Sequence, residues 1–266
     1  MPELPELEVI AEILTRELHD EPILGVIVHN HLVVYSPIDQ MTSEMRGRRV
    51  KGFGADGKFL ILDTGSLELI VNPMLTGRFS LSNRGREPSA SDSLSLEFKE
   101  KTLWYSDTKH MGRVYLVRNH DYSAVAEFLG RGPSALDSSL TMAQFKTRIR
   151  RHRGQIKNVL RNQRFVKGIG NAYADEILLY AGVLPFRRRE TMSEKETEAI
   201  YEAMRKLLPR YIEILRKRAL KDIGSDKRDF LMVHGKGGSI CPLCGGRVSE
   251  VTANRFKTNY CQSCQS

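Results

Sequence analysis

Four cysteines near the C-terminal end of the sequence have the spacing of a metal site. Cys241 and Cys244 form one C-x2-C pair, and Cys261 and Cys264 form a second pair after sixteen intervening residues. One Zn²⁺ ion can bind both thiolate pairs tetrahedrally. Two disulfides are the alternative, but the sequence shows no export signal, and the reducing compartment that we therefore expect favours zinc. Four thiolates leave no open coordination position, so the one zinc ion is expected to be structural.

The first residues of the chain combine groups that can do covalent chemistry. Removal of Met1 leaves Pro2 with a free secondary amine, whose pKa of about 8 keeps a useful fraction neutral at pH 7. A neutral amine can attack an electrophilic carbon, such as the anomeric carbon of a sugar, and form an iminium. Glu3 can exchange protons, and Glu6, one helical turn later, can support Glu3. Taken alone, these residues are better explained by a plain helix start with acidic residues at its positive end. Together with Lys58 and the four cysteines, the catalytic interpretation is favoured.

The composition is that of a folded protein. The chain has 266 residues, of which 41% are hydrophobic and 27% are charged, which excludes a disordered or collagen-like chain. No run approaches the ~18 consecutive apolar residues of a membrane-spanning helix. We therefore expect a cytoplasmic protein with no membrane partner, associated with the nucleoid if the source is bacterial.

The positive charge is concentrated in the second half of the chain. From Phe145 onward there are 26 Lys and Arg against 12 Asp and Glu, a net charge of +14, whereas the preceding segment carries a net charge of −5. An asymmetry of this size indicates a polyanionic partner, most simply nucleic acid. Gly168 and Gly170, in a turn beside this basic region, can bring backbone amides close to a phosphate. A general solubility charge and a simple tight turn are the alternatives.

Hydrophobic periodicity predicts an α+β protein. Residues 3–19 have the pattern of an amphipathic helix, and a series of short runs rich in Val, Ile, Leu and aromatic residues follows, which is typical of a β-sandwich or barrel. The pattern breaks near residues 130–134, and the chain then becomes helical and basic. The stretch between the two cysteine pairs has the pattern of a β-hairpin, and Ser193 with Glu196 resembles a helix capping box.

Several motifs, in order along almost the whole chain, resemble the formamidopyrimidine-DNA glycosylase / endonuclease VIII family. PELPELE, after Met1, closely resembles the N-terminus of that family, and GKFLIL (57–62) its lysine-bearing strand. YSDTKHMGR (105–113) takes the place of its Y-N-D-P-R-R-F-G-R segment. Residues 155–185 are very similar to its helix-two-turns-helix motif, and the cysteines match its zinc finger. The chain is thus identified as a divergent member of the family.

The resemblance implies a domain organisation. We expect an N-terminal β-sandwich domain with an N-terminal helix (1–131), a helix-two-turns-helix domain (132–236) and a β-hairpin zinc finger (237–266). By resemblance, Lys58 contacts a phosphate and assists proton transfer, although it could be only a solvated charge at the start of a strand. Asn171 matches the residue that grips the DNA backbone at the lesion, although it could simply cap a helix.

Other positions depart from the family pattern. Asn72 replaces a phosphate-contacting histidine, and Leu75 replaces a methionine that fills the space of the extruded base. Lys109 replaces the arginine that faces the orphaned base, and Met111 replaces a wedging phenylalanine, although Met111 could also be a core residue. Lysine lacks the planar donor fork of arginine, so we expect looser recognition of the opposite base.

Two further departures lie near the cysteines. The segment before Cys241 is too short for the insertion that covers flipped 8-oxoguanine in formamidopyrimidine-type members. The family's finger arginine falls at Phe256, so Arg255 can take that catalytic role only if the hairpin has a one-residue bulge.

The sequence therefore predicts a monomeric glycosylase with AP lyase activity on double-stranded DNA that contains oxidised, ring-opened, abasic or bulky lesions. The alternative is a non-catalytic protein that binds damaged or structured DNA on the same scaffold.

Overall fold

The chain divides into two units with different secondary structure. The computed structural model describes residues 1–219, 223, 227–253 and 256–266, apart from the side chains of 219 and 253. Unit 1 consists of Met1–Leu129 and Leu215–Asp226, and unit 2 consists of Gly130–Ile214 and Lys227–Ser266. The hairpin with the four cysteines therefore shares a unit with helices. Among the described residues, every helix is too short or too polar to cross a membrane.

Unit 1 contains two antiparallel sheets and an N-terminal helix. The helices are α1 (Leu4–Leu18) and α2 (Ile38–Met45). The strands are β1 (Gly25–Val28), β2 (Gly52–Asp56), β3 (Phe59–Asp63), β4 (Leu67–Asn72), β5 (Gly77–Asn83), β6 (Asp92–Glu97), β7 (Lys101–Asp107) and β8 (Arg113–Arg118). One sheet has the order β1-β6-β7-β5 and the other β2-β3-β4-β8. Buried residues from both sheets share one core, so the predicted sandwich is confirmed.

Helix α1 forms part of the same core because its apolar residues recur at helical spacing. Leu7, Leu14 and Leu18 are each at most 1% exposed and pack with residues of both sheets. Burying a leucine side chain contributes roughly 1.5–3 kcal/mol relative to leaving it exposed. The predicted amphipathic helix is therefore present, and it fixes the residues at its N-terminal end.

Unit 2 is helical, with one two-stranded sheet. Its helices are α3 (Met142–Ile149), α4 (Ile156–Arg161), α5 (Asn171–Ala181) and α6 (Glu194–Ala219), of which the part from Leu215 onward belongs to unit 1. Its strands, β9 (Val248–Ala253) and β10 (Phe256–Cys261), pair as an antiparallel hairpin, as predicted. The predicted capping box at the start of α6 is also confirmed, because the Ser193 N–H donates to Glu196 at 2.6 Å and the Glu196 N–H donates to the Ser193 hydroxyl at 3.2 Å.

A buried glutamate on α5 holds the segment that leads to the cysteines. The Glu176 side chain is fully buried and accepts the N–H groups of Met232, Val233 and His234 at 2.8–2.9 Å. The hydroxyl of Tyr211 donates to the same carboxylate at 2.5 Å. Burial, together with this carboxylate, raises the pKa of the Tyr211 phenol, so the phenol stays protonated and remains a donor.

The neighbouring residue, Asp175, connects α4, α5 and the hairpin. Lys157 Nζ lies 2.6 Å from its carboxylate, and both side chains are at most 5% exposed. The second carboxylate oxygen lies 2.8 Å from His234 Nδ1 and accepts the Asn259 N–H at 3.3 Å. Lys157 also donates to the Thr258 hydroxyl at 2.9 Å. A buried ion pair needs such additional hydrogen bonds to offset its desolvation, and here they tie β10 to the helices.

We expect Glu176→Gln to destabilise unit 2. Each carboxylate oxygen accepts two of the four donors, and the amide can accept at only one of its two ends, so two donors face an N–H₂ group instead. Leaving a buried donor unpaired costs about 1–3 kcal/mol, so the free energy of unfolding should fall by roughly that amount. Thermal and urea unfolding measure the change, with Glu194→Gln, at a position that is 69% exposed, as the control. Equal stability of the two variants would contradict the structural role of Glu176.

Candidate active site and DNA-binding residues

The start of α1 buries two of the residues that the sequence assigns to catalysis. Pro2 is buried, and Glu3 is only 1% exposed. Glu3 is the N-cap residue in an extended conformation, and the Glu6 carboxylate accepts its N–H at 3.0 Å. Glu3 and Glu6 complete a reciprocal capping box. The capping box therefore holds the Glu3 carboxylate in place, on the residue that directly follows Pro2 in the chain.

Lys58 lies in the two-residue turn between β2 and β3. Asp56 pairs with Phe59 across the hairpin, which leaves Gly57 and Lys58 as the central residues of the turn. Gly57 has a φ of 67°, as expected for the first central residue of a type II′ turn. Lys58 is half-buried. It is a turn residue that immediately precedes the strand on which the sequence placed it.

Strand β2 runs antiparallel along α1, which brings the Lys58 turn toward the beginning of the helix. The Thr15 hydroxyl accepts the Phe53 N–H at 2.7 Å near the end of α1. Closer to the start of α1, burial raises the pKa of the Glu8 carboxyl, and neighbouring carboxylates, including that of Asp56, raise it further. The turn that follows Asp56 therefore lies at the end of the strand nearest to the catalytic candidates.

A buried aspartate at the end of β7 holds two loops together. The Asp107 carboxylate is fully buried and accepts hydrogen bonds from the Thr76 hydroxyl and from the backbone N–H groups of Lys109 at 3.2 Å and Gly112 at 2.6 Å. Thr76 is in the loop between β4 and β5, and the other donors are in the loop between β7 and β8. A β-carbon at Gly112 would lie 1.8 Å from the Tyr105 hydroxyl, so only glycine fits there.

Asn72 forms the turn at the end of β4. Its side chain is 7% exposed, and its carbonyl oxygen accepts the Met74 N–H at 3.1 Å. Met74 has a φ of 47°, a left-handed conformation that this local hydrogen bond accompanies. The structure thus gives Asn72 a turn-forming role, and its DNA contact stays a prediction.

The two loops present three of the predicted DNA contacts at the surface. Leu75 is 41% exposed and Met111 is 40% exposed, and Lys109 is also exposed. The exposure of Met111 shows that it is not a core residue. Between Lys109 and Met111, the His110 ring nitrogen lies 3.0 Å from the Asn30 side-chain nitrogen, which fixes the loop from a third segment.

Sequence reasoning missed the residues that position these side chains. Asp107 lies inside the YSDTKHMGR segment but was assigned no role there, and Thr76 and Glu176 were not singled out. An aspartate at the junction of a strand and a glycine-containing loop was the available signal for Asp107. Two adjacent acids within the otherwise apolar helix sequence NAYADEILLYA were the signal for buried partners in α5.

In unit 2, the loop before α5 is held by a glutamine. Gln163 accepts the Gly168 N–H at 2.8 Å and donates to the Ile169 carbonyl at 2.9 Å. Gly170 is the N-cap of α5 and Asn171 is the first helical residue, so the interpretation of Asn171 as the helix cap is wrong. The Asn171 side chain instead donates to the Lys257 carbonyl at 2.9 Å and so contacts the cysteine hairpin.

The four cysteines form one cluster at the base of that hairpin. Their sulfur atoms all lie within 4.8 Å of one another, with 3.8 Å between Cys241 and Cys264 and 3.5 Å between Cys244 and Cys261. Disulfide sulfurs are about 2.05 Å apart, which these distances exceed. Four sulfurs bound tetrahedrally at about 2.3 Å from one ion are about 3.8 Å apart, so the cluster fits one metal ion. Arg255 lies outside the described residues.

Comparisons with known proteins agree with this arrangement. The family description "Formamidopyrimidine-DNA glycosylase N-terminal domain" matches residues 1–114, and "Formamidopyrimidine-DNA glycosylase H2TH domain" matches residues 131–220. The formamidopyrimidine-DNA glycosylase of Thermus thermophilus is 31% identical over all of this chain and 98% of that protein. That of Listeria innocua is 28% identical over the full length of both.

Solved structures of relatives have the same fold. The Lactococcus lactis Fpg (MutM), in complex with DNA that contains Fapy-dG, has a TM-score of 0.90 at 25% identity, covering 99% of this chain and 100% of that one. The Lactococcus lactis Fpg in complex with DNA that contains an abasic site has a TM-score of 0.86 at 25% identity, covering 99% of each chain. With matching sequence descriptions over both units and relatives of equal length, this chain belongs to the formamidopyrimidine-DNA glycosylase family.

Proposed function

We propose that this chain excises damaged bases from double-stranded DNA and cleaves the resulting abasic site through an imine at Pro2. Family membership makes it a DNA glycosylase of base excision repair, with the AP lyase activity that is typical of the family. The residue-level proposal is supported by the burial of the consecutive residues Pro2 and Glu3 at the start of α1, and by the position of Lys58 in the turn that follows β2.

The chemistry requires the free secondary amine of Pro2, after removal of Met1. The proline nitrogen bonds to C1′ of the damaged nucleotide while the bond from C1′ to the base breaks and the base leaves with a proton. Protonation of the ring oxygen O4′ then breaks its bond to C1′, which leaves an iminium between C1′ and the proline nitrogen. This iminium acidifies the proton on C2′. Loss of that proton breaks the bond between C3′ and the 3′ phosphate oxygen, which cleaves the strand. Water then hydrolyses the iminium and restores the amine.

The neighbouring residues move protons and hold phosphate. Glu3 exchanges protons with the sugar or the base, and its buried position fixes the carboxylate for that transfer. Glu6 holds Glu3 through the backbone hydrogen bond at 3.0 Å. Lys58 contacts a phosphate near the lesion and assists proton transfer. Arg255 stays a catalytic candidate.

The two loops held by Asp107 are proposed to contact the DNA duplex at the position that the damaged base has left. Leu75 and Met111 fill the emptied stack, and Lys109 faces the orphaned base, with Asn72 at the base of the first loop. Flexible Leu and Met side chains offer less stacking area than an aromatic wedge. One lysine provides no bidentate fork, so we propose a broad range of oxidised, ring-opened, abasic and bulky lesions with little discrimination of the opposite base.

Unit 2 is proposed to bind the DNA backbone. Gly170 and Asn171 provide the contact at the lesion, and one structural Zn²⁺, held by Cys241, Cys244, Cys261 and Cys264, keeps the hairpin folded. The sulfur distances support a tetrahedral ion of this kind.

The protein acts on DNA as a monomer, and we propose the cytoplasm, at the nucleoid, as its location.

The nucleophile is tested by trapping with borohydride on a duplex that contains an abasic site. We expect the untagged protein to form a covalent adduct, and a protein with an acetylated or extended N-terminus to form none, because a blocked nitrogen cannot form an imine. A C-terminal tag on the same chain is the control. Adduct formation by the blocked protein would instead point to a lysine, with Lys58 the first to examine. Binding of abasic DNA without any adduct in the untagged protein would favour the non-catalytic alternative.

Glu3 is expected to matter more for base removal than for cleavage of a preformed abasic site. Glu3→Gln should slow base excision roughly 10²–10⁴-fold, the usual contribution of a general acid–base group. Adduct formation on abasic DNA should persist because the base has already left. Single-turnover rates on damaged and abasic duplexes measure both steps, with Glu12→Gln as the control at an exposed site on α1. Equal losses in both assays would refute this division of labour.

The metal is expected to be one zinc ion per chain. Elemental analysis of reduced, active protein should find it, and Cys244→Ser should release it and weaken DNA binding because β9 and β10 lose their common anchor. Ser263→Ala, between two ligands, is the control that leaves all four thiols in place. Active protein that contains no zinc would overturn the assignment.

A further inference from the structure

Residues 30–35, between β1 and α2, run beside the loop that joins β7 to β8, and we call them the companion segment. At its first residue, the Asn30 side-chain nitrogen lies 3.0 Å from the His110 ring nitrogen. At its last residue, the Tyr35 N–H donates to the Val114 carbonyl at 2.8 Å. The companion segment is therefore fixed at one end to the loop and at the other end to the start of β8.

The companion segment carries two large apolar side chains at the surface. Leu32 is 60% exposed and Tyr35 is 56% exposed. The Leu32 N–H donates to the side-chain oxygen of Asn30 at 2.9 Å, so the backbone at Leu32 is fixed by the residue that also contacts the loop. The Tyr35 ring packs against the buried Tyr115 ring, with ring centroids 5.4 Å apart. Local contacts thus position both residues while much of each side chain stays open to solvent.

These side chains extend the exposed apolar surface of the neighbouring loop. Met111, which directly follows the residue that Asn30 contacts, is 40% exposed. Single exposed apolar residues are common, but several on adjoining segments indicate a contact surface. The guanidinium carbon of Arg113, two residues after Met111, lies 5.8 Å from the centroid of the Tyr35 ring, within the range of cation–π attraction. Apolar groups and a cation therefore lie together along this side of the loop.

A DNA duplex that has been opened at a lesion fits such a surface. Proteins that open the minor groove insert apolar wedges such as Phe, Leu and Met between bases that become partly unstacked. By family resemblance, Met111 stands where a phenylalanine is usual, so this position alone offers less stacking area. Leu32 supplies additional apolar area on the adjoining segment.

We propose that the companion segment contacts the DNA strand opposite the lesion, and that Leu32 and Met111 together form the wedge. The proposal rests on the proposed function, because it assumes that the loop with Lys109 and Met111 lies at the orphaned base. Leu32 packs against the bases beside the orphaned base, and Tyr35 packs against the adjoining sugar. These contacts are apolar, so they favour a duplex opened at a lesion over an intact one and neutralise no phosphate charge.

The first test compares a duplex that contains a tetrahydrofuran abasic analogue with an undamaged duplex. We expect Leu32→Ala to weaken binding of the analogue roughly 5- to 10-fold, because apolar contact area is lost. Binding of the undamaged duplex should stay within about 2-fold, and the slope of log affinity against log salt should not change, because no phosphate contact is lost. The melting temperature should equal that of the parent protein, because Leu32 is exposed. Leu129→Ala, the same truncation at a leucine that is 63% exposed, is the matched control.

The second test asks whether Leu32 and Met111 act on one contact. The double variant Leu32→Ala with Met111→Ala should lose at least about 3-fold less affinity than the product of the two single losses, because side chains that share a contact are not additive. Tyr35→Phe should bind like the parent protein, whereas Tyr35→Ala should bind the abasic analogue more weakly, because the ring supplies the contact.

Several outcomes would overturn the proposal. A loss in Leu32→Ala no larger than in Leu129→Ala, or an equal loss on damaged and undamaged duplexes, would leave Leu32 without a role at the lesion. Losses that multiply in the double variant would separate Leu32 from the wedge. Self-association that Leu32→Ala abolishes, with unchanged DNA affinity, would assign the surface to a second copy of the chain.

The proposed catalysis is judged separately on the same protein samples. A parent protein that binds the abasic analogue but forms no borohydride adduct with an abasic duplex would contradict the imine chemistry. The comparison of Leu32→Ala with Leu129→Ala would still test the contact, because binding of the analogue requires no reaction.

Discussion

Buried carboxylates that accept backbone N–H groups are the interaction on which the positions of the functional segments depend. Loops carry N–H groups that regular secondary structure does not pair, and such groups are costly to bury without an acceptor. In unit 1, Asp107 accepts these donors from the loop that carries Lys109 and Met111. In unit 2, Glu176 accepts three consecutive N–H groups just before the cysteine hairpin. Each carboxylate converts a stretch of loop into a rigid support.

The same physical device serves the start of α1 at closer range. Glu3 and Glu6 pair reciprocally with backbone N–H groups at the N-terminal end of the helix, where the helix dipole favours negative charge. Helix capping and the proposed catalysis therefore both require that these two side chains are held at the start of the helix. For these two residues alone, the sequence therefore favours a plain helix start, and the catalytic interpretation depends on Lys58 and the four cysteines elsewhere in the chain.

The larger architecture could be predicted because it follows from local patterns. The short strands rich in apolar residues, the amphipathic α1 and the paired cysteines all depend on residues close in sequence, and each is present in the structure. The networks around Asp107 and Glu176 join residues 31 and 56–58 positions apart in the chain. Such long-range pairings leave no periodic pattern in the local sequence from which they could be predicted.

The Asp107 carboxylate holds the loop after β7 at both ends, through the N–H groups of Lys109 and Gly112. The path of the backbone is thus determined separately from the side chains that the loop presents. Residues 109 and 111 can be exchanged for others of different size or charge while the loop keeps its course. Such a loop is suited to diversification, because new substrate preferences can arise by replacing exposed side chains while α1 stays untouched. The departures from the family pattern at Lys109 and Met111 are changes of this kind.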